Sequence, residues 1–200
     1  NDKELLRAWQ DGDQAAGGRL LSRFHPSIKR FFDSKQLGAA GDDLVQETFV
    51  GLLQADFRGE SSVRTFLFAI ARNKLLDHLW RLRRDRERFD PSCTSLADID
   101  VETPTGMRAR RDQDKLLLAA LRTLPIDTQL MIELHYWEEM PYKEIVEVLG
   151  MPEGTIKSTV HRARKTLEKR ITELAESKEQ LESTRQGLQR WAERLRDETP

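Results

Sequence analysis

The sequence has little cysteine, no long apolar run and no strand-like alternation, and each absence excludes a class of protein. Cys93 is the single cysteine, which excludes an intramolecular disulfide framework or a thiolate cluster and fits a reducing compartment. No stretch approaches the roughly 18 consecutive apolar residues of a membrane span, and residues 1–4 lack the apolar core of a signal peptide. We therefore expect a cytoplasmic protein with no membrane partner.

Net charge is also small, but the charges are unevenly distributed along the chain. The formal net charge of −1 comes from 33 basic and 34 acidic residues. Such a balance leaves nucleic acid open as a partner, because local charge rather than the total governs binding. Hydrophobic residues make up 38% of the 200 residues, enough for a core, and this length allows one domain or two small lobes.

Apolar residues recur three or four positions apart along most of the chain, which is the period of an amphipathic helix. Over residues 1–84 this pattern predicts four helices. The first two are separated near residues 11–13, the third opens with an Asx cap at Asp42 and Asp43, and the fourth follows a turn at 58–62.

The second half of the chain is also helical in pattern, after a break. Residues 85–107 have no sustained apolar period and contain prolines, so they predict an interdomain linker. Further helices are predicted over 108–124, 126–137 and 142–149. Because strand-like alternation is absent, the predicted fold class is all-α, with two small helical domains joined by a flexible linker.

A short helix up to Leu149, a turn around Gly150 and a second helix from Thr155 form a helix-turn-helix pattern, whose second helix can enter a major groove. The 3.6-residue period of that helix predicts an inward face made of Ile156, Val160, Ala163 and Leu167. The outward face then consists of Lys157, Ser158, His161, Arg162 and Lys165. The alternative is a solvated basic helix in a hairpin, but the turn chemistry favours DNA binding.

A second basic stretch, 72–88, follows the aromatic residues Phe57, Phe66 and Phe68 and a polar loop at 60–62. Single-stranded nucleic acid binds such surfaces because bases stack on rings while the backbone follows positive charge. The alternative is that these phenylalanines belong to the core. Two basic helices in separate lobes favour two separate DNA-binding surfaces.

Two sets of runs, one in each half of the chain, carry a resemblance to a known family. The first set is 43-DLVQETF-49, 57-FRGESSVRTFL-67 and 70-IARN-73. The second set is Leu124-Pro125, Tyr136, 141-PYKEI-145, Leu149-Gly150 and 154-GTIKSTVHRAR-164. The first set resembles region 2 and the second set resembles region 4 of the extracytoplasmic-function class of bacterial sigma factors, which keeps only these two regions. The two sets stand in the family's order and the resemblance covers roughly residues 1–170, which makes the match specific.

This resemblance implies a sigma factor that binds RNA polymerase core, opens promoter DNA and dissociates after initiation. In the family, the helix that matches residues 43–53 docks on the clamp helices of the beta-prime subunit, and the expected polymerase contacts also include the beta flap. The candidate polymerase contacts are Asp43, Gln46, Glu47 and Phe49. The candidates for capturing flipped bases of the melted minus-ten element are Phe57, Arg58, Gly59, Ser61, Ser62, Phe66, Arg72, Asn73 and Lys74. The candidates for reading the minus-thirty-five duplex are Thr155, Lys157, Ser158, Thr159, His161, Arg162 and Lys165.

The sequence departs from a common family pattern at two positions of the minus-ten region. Phe66 stands where tryptophan is frequent, and Val63 stands where an aromatic residue often occurs. The sequence therefore does not determine which base the minus-ten region prefers.

We also expect regulation, either by an anti-sigma factor or by the C-terminal extension.

Residues 171–200 extend beyond the family's usual end. Leucines recur every seven residues in line with Val160, at Leu167, Leu174, Leu181, Leu188 and Leu195. This repeat predicts that the helix from Thr155 continues, or is followed by a C-terminal amphipathic helix. The second seam of a zipper is mostly missing, and Gly187 disfavours helix by about 1 kcal/mol. The stripe leaves open docking on the protein's own lobes, binding to a partner or a coiled-coil homodimer, and we predict that this extension is regulatory.

No pattern predicts catalysis. The four histidines lack ligand spacing with Cys93, and neither a glycine-rich phosphate loop nor a nucleophile elbow is present. Glu138 and Glu139 are interpreted as solvated acids. We therefore predict that the protein is not an enzyme and has no catalytic residue, metal or cofactor.

The main alternative to a sigma factor is a stand-alone helix-turn-helix regulator, which leaves the aromatic loop at 57–73 without a role. A third possibility is a structural adaptor, which would bind no DNA at all.

Overall fold

The computed structural model describes residues 1–82, 89–99 and 112–175, and of 112–115 only the backbone. Within these ranges the chain forms eight α-helices and no strand, so the all-α prediction is confirmed. The helices are α1 (Asp2–Gln10), α2 (Gln14–Asp33), α3 (Ala39–Gln54), α4 (Val63–Leu82), α5 (Asp112–Arg122), α6 (Ile126–Tyr136), α7 (Tyr142–Leu149) and α8 (Glu153–Leu174).

The first two helices are separated where the sequence predicts. Asn1 and Glu4 form a capping box at the start of α1. Asp13 caps α2 by accepting from the backbone N–H groups of Ala15 at 2.9 Å and Ala16 at 3.1 Å. These side chains satisfy helix N–H groups that have no intrahelical partner.

The start of α3 corrects the sequence prediction. The helix begins at Ala39 rather than after an Asx cap at Asp42 and Asp43, and its N-cap is Gly38 with a φ of 60°. Glycine adopts this left-handed φ without the Cβ clash that other residues meet. Asp42 lies instead in the first turn, where a carboxylate interacts favourably with the helix dipole.

The helix-turn-helix is present with one shift in boundary. Gly150 ends α7 in the left-handed region, at a φ of 69°, and donates its N–H to the carbonyl of Val146 at 2.8 Å. Pro152 precedes α8, which begins at Glu153 and so two residues before the predicted Thr155.

Helix α8 continues beyond the predicted domain boundary at residue 170. It runs to Leu174, and Ile171 is buried with the four residues predicted to face inward. Leu174 is exposed. The leucines further along the predicted stripe lie outside the described residues.

The helices form an N-terminal lobe (α1–α4) and a C-terminal lobe (α5–α8) that pack directly on each other. Helix α4 contacts α7 across the boundary, and buried apolar residues of both lobes belong to one continuous cluster. The sequence pattern predicted the two lobes but not their contact.

The described part of the predicted linker, 89–99, is packed against the helices. Leu96 and Ile99 are buried, and residues 96–98 form a short 3₁₀ helix. The carbonyls of Pro91 and Thr94 accept from the first N–H groups of α6, Asp127 at 3.0 Å and Ile126 at 2.9 Å. Because Pro125 offers α6 no side-chain cap, this segment supplies the missing acceptors. The rest of the predicted linker lies outside the described residues.

Charged pairs join the two lobes. Lys35 and Glu133 form an ion pair that is almost fully buried, with side chains 0% and 2% exposed. Burial lowers the pKa of Lys35, and the facing carboxylate of Glu133 opposes that shift. Gln129 donates to the second oxygen of Glu133 at 2.8 Å, so the carboxylate has partners on both sides.

The interpretation of Glu138 as a solvated acid is wrong. Its side chain is 7% exposed and pairs with Arg30 at 2.8 Å and with Arg64 at 3.5 Å, both in the N-terminal lobe. The linear sequence could not show this, because both partners are more than 70 positions away.

Candidate nucleic-acid and polymerase interfaces

The residues predicted to read duplex DNA lie together on the outer face of α8. All are exposed except Thr159, which is half-buried. Their inward neighbours pack in the core as predicted, so the helix presents one polar, cationic face. Within the part of the chain that the structure describes, Arg162 donates from Nε to the carbonyl of Ser158 at 3.3 Å, and the end of its guanidinium is available for an acceptor.

Lys157 makes two contacts at the start of this face. Its Nζ lies 2.6 Å from Glu153 Oε1 and 5.6 Å from the ring centre of Tyr142. The hydrogen bond with Glu153 raises the pKa of Lys157 and lowers that of the carboxyl. Lys157 is therefore held charged and close to the beginning of α7.

Sequence reasoning did not include Tyr142 among the site residues. Its hydroxyl lies 3.2 Å from Nε2 of His135, and the two rings stack with centroids 4.4 Å apart. The other ring nitrogen of His135 lies 3.3 Å from the carbonyl oxygen of Met140. These contacts hold the start of α7 against α6, while Lys157 approaches Tyr142 from α8. Only the position of Tyr142 in the PYKEI run pointed to this residue.

The loop at residues 55–62 joins α3 to α4 and brings most of the predicted minus-ten residues together. Phe57 packs against Phe66 with ring centroids 5.1 Å apart, and both rings are half-buried. Ser62 accepts from the backbone N–H of Thr65 at 3.0 Å and so caps α4. Arg58 stays exposed, with its side chain 74% accessible. The paired rings form a partly open apolar surface beside a cation.

Three consecutive residues of α4 point in different directions. Successive helical residues are rotated by about 100°, so Arg72 and Lys74 flank the exposed Asn73. Arg72 lies 3.2 Å from Asp127 in the C-terminal lobe, while Lys74 lies 3.3 Å from Glu47 of α3. Of these three, Asn73 lies on the same side of the helix as Phe66, about two turns after it.

The predicted polymerase contacts divide into exposed and buried residues. Asp43, Gln46 and Glu47 are exposed and line a pocket of about 390 Å³ together with Val50 and Lys74. Val50 is 51% exposed, and sequence reasoning missed this apolar side chain.

Phe49 lies inside the core instead of on this surface. It is 5% exposed, and its ring stacks on His25 with centroids 6.2 Å apart. Its packing face belongs to the apolar stripe of α3, and a buried ring has no surface to offer a partner. We therefore leave Phe49 out of the proposed docking surface.

Comparison with known families matches each lobe to a region of the sigma-70 factors. Residues 20–91 match the model of sigma-70 region 2, and residues 114–167 match the model of sigma-70 region 4. The extracytoplasmic-function (ECF) RNA polymerase sigma-E factor of Haemophilus influenzae is 29% identical over 185 residues, which cover 86% of this chain and 96% of that protein. The chain belongs to the ECF sigma factors.

Other relatives agree with this sigma factor assignment. The sigma-E factor of Escherichia coli K12 is 24% identical over 182 residues, 86% of this chain and 95% of that protein. The solved structure of CnrH in complex with the cytosolic domain of CnrY has a TM-score of 0.63 and 27% identity, covering 83% and 94% of the two chains. The sigma factor RpoE of Bartonella quintana, in complex with the anti-sigma factor NepR, has a TM-score of 0.57 and 26% identity, covering 78% and 96%.

The activity follows from the family. This protein is an RNA polymerase sigma factor, which binds the core enzyme and promoter DNA and directs initiation. Sigma factors in general are not enzymes. None of the helices within the described ranges combines the length and the apolar composition that crossing a bilayer requires.

Proposed function

We propose that the loop at 55–62 and the outer side of α4 capture unpaired bases of the minus-ten element. The observation that carries this assignment is the partly open Phe57–Phe66 pair beside the exposed Asn73. An aromatic ring can stack on a base, and the Asn73 amide can donate to and accept from a base edge once that base has left the duplex. Neither group would be needed for binding duplex DNA alone.

We assign the minus-thirty-five element to the outer face of α8. Arginine and lysine side chains there can pair with guanine edges in a major groove, and the hydroxyls of Thr155 and Ser158 can contact bases or phosphates. The stand-alone regulator would use the same face. It is less well supported, because it gives no role to the loop at 55–62.

We assign polymerase core to the pocket on α3. Asp43, Gln46 and Glu47 supply polar and acidic groups, and the exposed Val50 supplies an apolar contact. Partly apolar patches surrounded by charge are typical of protein–protein contact sites.

Two further features of the proposal concern regulation and place of action. A related sigma factor of known structure is bound to an anti-sigma factor, and on that basis we include an anti-sigma factor among the partners of this chain. We place its action in the cytoplasm, with the polymerase. The C-terminal extension, 171–200, is proposed to regulate initiation.

The experiment that tests this function is run-off transcription with purified core polymerase on a promoter library, with and without the protein. Asn73→Ala should reduce permanganate reactivity at the minus-ten region while gel-shift binding to an upstream duplex stays unchanged. Asp77→Ala, an exposed change one turn further along α4, is the matched control. Equal losses in both assays would overturn the minus-ten assignment, and transcription that does not depend on the protein would overturn the function.

A further inference from the structure

Helix α1 lies outside the region matched to the sigma-70 region 2 model, which begins at residue 20. It is nevertheless firmly attached to the N-terminal lobe. Leu6 is fully buried, Trp9 packs over Gly17, and Asp2 pairs with Arg23 of α2. A helix anchored in this way can hold other segments in place.

Two polar side chains of α1 reach the loop at 55–62. Gln10 Nε2 donates to the carbonyl of Ala55 at 2.9 Å and lies 3.3 Å from that of Leu53, at the end of α3. Lys3 Nζ donates to the carbonyl of Gly59 at 2.6 Å, in the middle of the loop. The first contact fixes where the loop begins, and the second fixes its turn.

The second contact falls on a turn that glycine favours. Gly59 has a φ of 77°, which glycine adopts readily and other residues adopt at a cost. A charge-assisted hydrogen bond to its carbonyl stabilises one orientation of a flexible peptide. Lys3 Nζ also lies 6.0 Å from the ring centre of Phe57, so the ammonium group bonds to the turn and lies near the stacking pair.

We propose that Lys3 and Gln10 are positioning residues that set the shape of this loop and thereby its base preference at the minus-ten element. The inference rests on the proposed function of the loop. Gln10 acts through the backbone of the loop, and Lys3 acts through the carbonyl of Gly59 and its position near the Phe57 ring. Their loss should therefore change selectivity rather than abolish initiation.

The experiment uses the full chain in holoenzyme with core polymerase. The template library has randomised minus-ten positions and a fixed minus-thirty-five element, and transcript sequencing gives the ratio of best to worst base. Lys3→Met keeps an unbranched side chain but cannot donate. We expect it to lower that ratio by about two- to tenfold, the range of one net hydrogen bond, and we expect Gln10→Leu to act in the same direction.

Three comparisons make the outcome specific. Lys3→Arg retains a donor and should restore the preference. Arg7→Met removes a charge from the exposed side of the same helix and should leave it unchanged. Core affinity and the midpoint of thermal unfolding should stay near those of the unmodified protein.

Contrary outcomes separate the two levels of the proposal. The positioning role is wrong if the unmodified protein and Lys3→Met give the same ratio of best to worst base. It is also wrong if Arg7→Met lowers that ratio as much as Lys3→Met does. In both cases the proposed function stands. If the unmodified protein shows no minus-ten preference, the assignment of the loop itself is overturned, and the positioning role with it.

Discussion

At the scale of single residues, two adjacent glycines of α2 show how strongly the surroundings determine the effect of one methyl group. A Cβ added at Gly17 would lie 2.4 Å from Cδ1 of the Trp9 indole, whereas one added at Gly18 meets nothing within 4 Å. Both glycines weaken the helix intrinsically by the same mechanism, because glycine has more conformational freedom to lose than alanine. Only at Gly17 is glycine needed for packing, because the Trp9 indole occupies the space that a Cβ would take.

The matched pair gives opposite predictions. Gly17→Ala should destabilise the protein by about 1–3 kcal/mol, because the indole must leave its place on α2. Gly18→Ala should stabilise it by about 0.5–1 kcal/mol through helix propensity alone. Urea unfolding measures both changes, and a Gly17→Ala variant as stable as Gly18→Ala would show that α1 does not depend on this contact.

At the scale of elements, α8 and α3 each present one polar face to which we assign one function. The buried side of α8 fixes its rotation, so the outward residues follow from the helical period. On α3 the same reasoning leaves Asp43, Gln46 and Glu47 outward. Exposed charges on a helix contribute little to stability, and substitutions there should alter binding without unfolding the lobe.

For α8, we predict that Arg162→Ala weakens promoter binding by about 1–3 kcal/mol and that the loss depends on the minus-thirty-five sequence, if the guanidinium pairs with a base edge. Fluorescence anisotropy on duplexes with single base changes measures this dependence. Arg170→Ala is the control, since Arg170 lies further along the helix and pairs with Glu173 at 2.8 Å. A uniform loss, with the salt slope lower by about one, would assign Arg162 to phosphate instead.

For α3, we predict that Glu47→Lys lowers affinity for polymerase core while the circular dichroism spectrum is unchanged. The substitution reverses a charge on the rim of the pocket and also removes the pair with Lys74. Glu147→Lys, an exposed change on α7, controls for net charge. Equal core affinity of both variants would argue against α3 as the docking face.

At the scale of the whole molecule, one of the charged groups that join the two lobes is also assigned to the proposed activity. Arg72, a candidate for contacting the minus-ten strand, pairs through Nη2 with Asp127 of the other lobe, and its side chain is 18% exposed. Separation of the lobes would therefore expose more of its guanidinium to a phosphate.

The buried pair of Lys35 and Glu133 tests how firmly the lobes are closed. Lys35→Met leaves the Glu133 carboxylate without its counter-charge, a change that typically costs about 3–5 kcal/mol in a buried site. Since separation of the lobes would hydrate that carboxylate, we expect the single variant to open, with a larger radius of gyration in small-angle scattering.

The double variant Lys35→Met/Glu133→Leu is the control for this prediction. It replaces the ion pair by apolar groups of similar size, which is often neutral or stabilising, and it should stay as compact as the unmodified protein. Identical dimensions for the single variant, the double variant and the parent would show that this pair does not hold the lobes together.

The helices, their inward faces and the helix-turn-helix could be predicted from the sequence, because the 3.6-residue period and the caps are local properties of the chain. The outward set on α8 followed from the same period. The start of α3 could not be predicted in this way, because the left-handed turn at Gly38 competes with a plausible Asx cap nearby.

Whatever depends on residues distant in the chain was settled only by the tertiary structure. The period could not tell that Glu138 meets two arginines of the other lobe, or that Lys3 reaches Gly59 across 56 positions. A local pattern specifies which face of a helix is apolar. Which partner covers that face, and which charges become neighbours, is determined by how the helices pack, since burial and ion pairing depend on distance in space and not along the chain.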